Sequence, residues 1–321
     1  MSSRQLMYPG TPALLLGLLA LPAGAQSFRV QCPTNTITHP IAGQNSTEPN
    51  YTGATTFSSC TPGQPIPNSS VLCPPSGTYP SGNVNGGIKC QQVSGGDGFA
   101  TMADGTQTYM FSFGPLSGLA DIAAGKPGTQ PPNVFNTLAP STPQSGDPIA
   151  PSGANPYTHN GAIGLAPDND CLADGTCTAA NSWNPAVPGI DGHVDPRQIM
   201  DVGVMNGNQP APLMAIDEGD EFFLTLTNAG MIMRPDLFEQ HTIHFHGYPN
   251  ASSLYDGVPD ASVAINLGGS FTYYYLAPDA GTYFLLPSTL VDGTPDRLAD
   301  AHHPPATPSE QQRDGHHRFC R

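Results

Sequence analysis

Basic residues are scarce in this chain: Lys and Arg total 10 against 25 Asp and Glu, giving a formal net charge of −15 at pH 7. No basic patch can neutralise a run of phosphates, so nucleic-acid binding is excluded. Charges of either sign are few, at 11% of residues. Together with heavy Gly and Pro usage this excludes a helical bundle. Long apolar runs are missing too. The stretch from Ala13 to Leu21 is too short to span a bilayer, and no later segment is long and apolar enough. Tryptophan occurs once, at Trp183, and no function attaches to it or to His39, His159 or His193.

Glycine and proline are abundant instead, at 36 each, so 72 of 321 residues break or punctuate regular structure. That composition fits short strands joined by long loops. The first 25 residues read as a secretory signal peptide. Arg4 is the basic n-region, Ala13 to Leu21 the apolar core, and Ala23-Gly24-Ala25 the cleavage site. The expected location is therefore the periplasm or the exterior, where cysteines pair. Of seven cysteines, Cys32, Cys60, Cys73 and Cys90 allow three pairings among themselves. Cys171 and Cys177 can staple one loop, and Cys320 is left over. Reduced, buried thiols are the alternative.

Residues 26–87 are predicted to be a loop-rich, disulfide-tied region. A β domain is expected over 88–284, with a loop insertion at about 115–195 and an irregular tail over 285–321. Phe99 to Phe113 reads as a hairpin turning at Asp104-Gly105. In the run Glu221 to Asn228, Phe222, Leu224 and Leu226 share one face, and Phe223, Thr225 and Thr227 share the other. Glu218-Gly219-Asp220 is the turn before it. Phe271, Tyr273 and Tyr275 alternate in the same way. Strand spacing without helical periodicity predicts an all-β, antiparallel Greek-key sandwich.

The richest motif is His241-Thr-Ile-His244-Phe-His246-Gly247, followed by Asp256-Gly-Val-Pro259. On a strand Thr242, His244 and His246 point one way, and Ile243 and Phe245 point the other. Two imidazoles on one face of a rigid element are candidate ligands for a transition metal. A surface His-X-His without a metal is the alternative.

Five elements in order resemble the plastocyanin-like (cupredoxin) domain of multicopper oxidases. They are Gly219-Asp220 leading a strand to Asn228, His244-Phe-His246-Gly247, Asp256-Gly-Val-Pro259, Gly269-Ser-Phe-Thr-Tyr273 and Pro278-Asp-Ala-Gly-Thr-Tyr283. The resemblance covers about residues 196–284. It implies copper as cofactor, with dioxygen and a small-molecule or metal-ion reductant as partners. It also implies a type 2 copper on His244 and a type 3 copper on His246, within a trinuclear cluster built from four His-X-His pairs shared by two domains. His241 has the spacing of a type 1 ligand in the family's last domain. The following Asp-Gly-Val-Pro resembles a first domain, where that position is not a ligand. Because His241 also faces away from His244, a structural or supporting role is favoured, with ligation the alternative.

After Phe284 the family continues with an aromatic residue and a second His-X-His, whereas this chain reads Leu285-Leu-Pro-Ser-Thr-Leu-Val-Asp-Gly. A change of reading frame near residue 285 is one explanation. The tail carries His302, His303, His316 and His317. Adjacent histidines on a strand face opposite ways and chelate poorly as pairs. Cys320 has no downstream His or Met at type 1 spacing. Met102, Met110, Met214, Met231 and Met233 are read as core or loop fillers before copper(I) ligands. The expected function is that of an exported copper protein of the multicopper oxidase family, inactive as an oxidase on its own. A non-catalytic cupredoxin-like binding module is the alternative, and assembly into an oligomer stays open.

Overall fold

Pro and Gly keep the elements short in the computed structural model. It describes residues 29–46, 53–138, 159–248, 255, 257, 262–291 and 294–295, except 173, 175, 186 and 238. The order is α1 (Ala42–Asn45), β1 (Thr56–Ser59), β2 (Thr78–Gly82), β3 (Ile88–Thr101), β4 (Gln107–Pro115), α2 (Leu119–Ala123) and α3 (Pro132–Phe135). There follow β5 (Leu165–Pro167), β6 (Ile190–Val194), α4 (Pro196–Gly203), β7 (Glu221–Gly230), β8 (His241–His246), β9 (Ser270–Leu276), β10 (Phe284–Val291) and β11 (Thr294–Pro295). The expected signal peptide and the histidine-rich segment beyond residue 295 lie outside the described residues.

The protein is all-β, as its strand spacing predicts. A four-stranded sheet in the order β4-β3-β7-β9 faces a three-stranded sheet in the order β11-β10-β8. Their shared core contains Phe222, Leu224, Leu226, Phe271, Tyr273 and Tyr275 from the first sheet, and Ile243 and Phe245 from the second. Each large apolar side chain removed from water contributes about 1.5–3 kcal/mol. The hairpin forms as expected, with Thr101 paired to Gln107 and the turn closed by Met102 N donating to Thr106 O at 2.8 Å.

One pairing departs from the antiparallel expectation: β3 and β7 run parallel, Val93 opposite Leu226. Parallel neighbours need a long crossover. The chain supplies it by leaving the sheet after Pro115 and returning only at Glu221. That crossover is not purely loop. It contains α2, α3, α4 and the β5–β6 ribbon, and it covers the second face of the main sheet. Phe223 packs there with Ile88, Cys90, Phe135 and Ile190. On the same face, Thr225 bonds Thr272 at 2.7 Å and Thr227 bonds Ser270 at 2.6 Å. The expected irregular tail also does not start at residue 285. Residues 285–291 extend β10, because the backbone of β8 offers a full ladder from Phe284–His246 to Thr289–His241.

Three disulfides tie the chain: Cys32–Cys90, Cys60–Cys73 and Cys171–Cys177. The first closes the largest loop and joins the N-terminal segment to β3. That segment also lies against β9, with Thr272 Oγ1 donating to Arg29 O at 2.8 Å. The Arg29 guanidinium sits 4.3 Å over the ring of Trp183. A second fastening is polar. His39 Nδ1 lies 2.7 Å from Glu221 Oε1, and the hydroxyls of Thr36 and Thr38 donate to the same oxygen.

Candidate metal centre

The entry to β8 is set by Asn228 at the end of β7. Its amide donates to Glu239 O at 2.7 Å and to Ile265 O at 2.9 Å. Ile265 in turn exchanges two backbone hydrogen bonds with His241, at 3.0 and 2.9 Å. The first residue of the strand is therefore fixed, and the period of two dictates the rest. Ile243 and Phe245 enter the core. Thr242 is fully buried, and His244 and His246 are partly exposed.

The rings of His244 and His246 lie side by side, with centroids 4.7 Å apart and planes at 82°. His246 is stacked on Phe284, its register partner on β10, at 4.4 Å and 16°. Leu286 is the register partner of His244, and Ser288 that of Thr242. Among the described residues, no three or more His, Cys, Asp or Glu gather closely enough to hold a metal ion. Neutral imidazoles in this arrangement can serve as two ligands to zinc, copper, iron or nickel.

His241 does not join them. It is 1% exposed, and its ring lies against Gly95 of β3, where a Cβ would come within 3.0 Å of the ring. Burial lowers its pKa to about 4, so the ring is neutral at physiological pH. Neither ring nitrogen has a hydrogen-bond partner among the described residues. Of the methionines, Met214 is in the core and Met231 is buried, while Met102 and Met233 are exposed.

Two contacts to the histidine strand were not foreseen from the motif. Gly257, of the Asp-Gly-Val-Pro segment, accepts a hydrogen bond from Thr242 Oγ1 at 2.6 Å. A Cβ on Gly257 would lie 2.5 Å from Ile243 O and 2.6 Å from His244 Cβ. The sequence did place Thr242 on the histidine face, but it held no signal of what the hydroxyl would reach. Asp256, Val258 and Pro259 lie outside the described residues.

Comparison with known proteins bears on this strand and its surroundings. The multicopper oxidase family model matches residues 191–297. The chain's similarity to the multicopper oxidase family lies in that segment. The chain is 33% identical over 84 residues to multicopper oxidase MmcO of Mycobacterium tuberculosis, across 26% of this chain and 15% of that protein. Among solved structures it is similar to Lac15 from a marine microbial metagenome, at 30% identity. That match covers 26% of this chain and 20% of that one, with a TM-score of 0.22. It is also similar to the multicopper oxidase mgLAC, at 33% identity, covering 26% and 24% with a TM-score of 0.20. The chain thus spans between 15% and 24% of the length of these relatives.

Proposed function

We propose that the chain is an exported copper-binding member of the multicopper oxidase family, with His244 and His246 as its copper ligands. The observation that carries this reading is the pairing of their imidazoles on one face of β8, 4.7 Å apart. Neutral imidazole suits copper in either oxidation state. Copper bound there would supply one-electron redox chemistry. His244 would serve a type 2-like position and His246 a type 3-like position. His241 is directed into the core on the opposite face, so its role beside this pair is structural. The three disulfides support an oxidising compartment.

In the whole enzyme, a phenol or a metal ion such as Mn(II) or Cu(I) would be oxidised and dioxygen reduced to water. This chain is proposed to lack that activity alone. The register partners of His244 and Thr242 are Leu286 and Ser288, where the family resemblance puts a second His-X-His. The same observation favours the second reading, a cupredoxin-like module that binds copper without turnover. Copper titration with EPR on the purified chain, beside the His244→Ala/His246→Ala variant, tests the proposal. Saturable Cu(II) binding lost in the variant is expected, and equal copper in both proteins would overturn it. Several coppers per chain with intense blue absorption would defeat the module reading.

A further inference from the structure

Gly257, beyond the histidine strand in sequence, lies back against it, and the contact falls at the root of His244. Thr242 is completely buried, and its hydroxyl donates to Gly257 O at 2.6 Å. Thr242 and His244 are alternate residues on one face, so this hydrogen bond fastens Gly257 beside the imidazole. Gly257 has φ +83° and is buried, and a Cβ there would penetrate the carbonyl of Ile243 and the Cβ of His244. Only glycine allows the backbone at 257 so close to the strand. The root of one imidazole is thus held on the Gly257 side, and the ring of the other is held by the stack on Phe284.

We propose that Thr242 and Gly257 form a clasp that fixes the side-chain conformation of His244, and with it the spacing of the two imidazoles. Neither residue touches the metal; both are positioning residues. The proposal rests on the copper reading for its consequence, not for its geometry. Groups that orient a metal ligand typically contribute 10- to 100-fold in affinity.

The test uses the purified chain and the variants Thr242→Val, Thr242→Ser and Gly257→Ala, each checked for folding by thermal unfolding. The first readout is metal-free: NMR three-bond couplings at His244 report whether χ1 occupies one rotamer. One rotamer is expected in the wild type and in Thr242→Ser, and averaging in Thr242→Val. The second readout is Cu(II) affinity and the EPR hyperfine pattern. Thr242→Val should bind roughly tenfold more weakly with a broadened spectrum, and Thr242→Ser should recover to within about twofold. If Gly257→Ala does not fold, the two Thr242 variants still decide. A single χ1 rotamer at His244 retained in Thr242→Val overturns the clasp, whatever the protein does with copper. Ordered couplings lost on mutation, in a protein whose copper is indifferent to His244 and His246, would leave the clasp standing and remove the copper reading.

Discussion

Two histidines in this protein are almost equally buried and have opposite electrostatic fates. His39 is 4% exposed and His241 is 1% exposed. Burial alone favours the neutral form of each. At His39 the hydrogen bond and charge of Glu221 overcome that effect and raise the pKa above 6.5. Glu221 shows the reverse balance: burial would raise its pKa, but bonds from His39, Thr36 and Thr38 hold it below 4.5. At His241 nothing opposes burial, and the pKa falls to about 4. A buried imidazole is therefore a clasp or a neutral core ring according to its neighbour rather than its depth.

Breaking the pair should have the largest effect. Glu221→Ala removes the carboxylate and leaves His39 buried without it, a loss of about 3–5 kcal/mol in unfolding free energy. Urea denaturation at pH 5.5 checks this. The pH follows from the two directions. A raised His39 pKa gives stability that is fully present below 6.5 and lost as pH climbs through the folded value. A lowered Glu221 pKa gives stability present above 4.5 and lost as pH falls through the folded value. The deficit of the variant should thus be greatest between pH 4.5 and 6.5. A deficit independent of pH would mean that the pair is not ionic.

His241 sharpens the contrast from the other side. Its folded pKa lies below the unfolded value of 6.5, so the unfolded chain binds the proton more readily. Stability should fall as pH drops from 6.5 toward 4, by up to about 3 kcal/mol from this residue. In His241→Leu that part of the acid slope should disappear, whatever the variant's offset at neutral pH. An unchanged slope between pH 6.5 and 4 would show that the ring is protonated or solvated in the fold.

None of this electrostatic contrast was legible in the sequence, where His39 had no function and His241 was only a doubtful ligand. Local alternation was legible. The faces of Phe222 to Thr227, the inward Tyr273 and Tyr275, and the hairpin at Asp104-Gly105 follow from period two and from turn chemistry. The parallel β3–β7 pair was not, because it depends on where a crossover of about a hundred residues returns, which no local pattern encodes. For the same reason the sequence put His244 and His246 on one face but could not show Gly257 at the root of His244. Pairing with β8 also overrode the unpromising Leu285-Leu-Pro-Ser-Thr run, which carries no alternation yet completes a ladder.

That ladder permits the last test, which compares the two strands themselves. β8 carries paired imidazoles, while β10 carries Leu286 and Ser288 at the positions opposite His244 and Thr242. Opposed residues on antiparallel strands lie about 4.5–5.5 Å apart, close enough for side chains from both to reach one metal centre. Leu286→His/Ser288→His should therefore tighten Cu(II) binding by about tenfold, or 1.4 kcal/mol, measured by competition against a chelator of known affinity. Adding His244→Ala/His246→Ala to that variant should remove the gain, since the new pair would act with the old one. An affinity unchanged by the two added histidines would mean that the register, although correct, does not aim positions 286 and 288 at the ligands of β8.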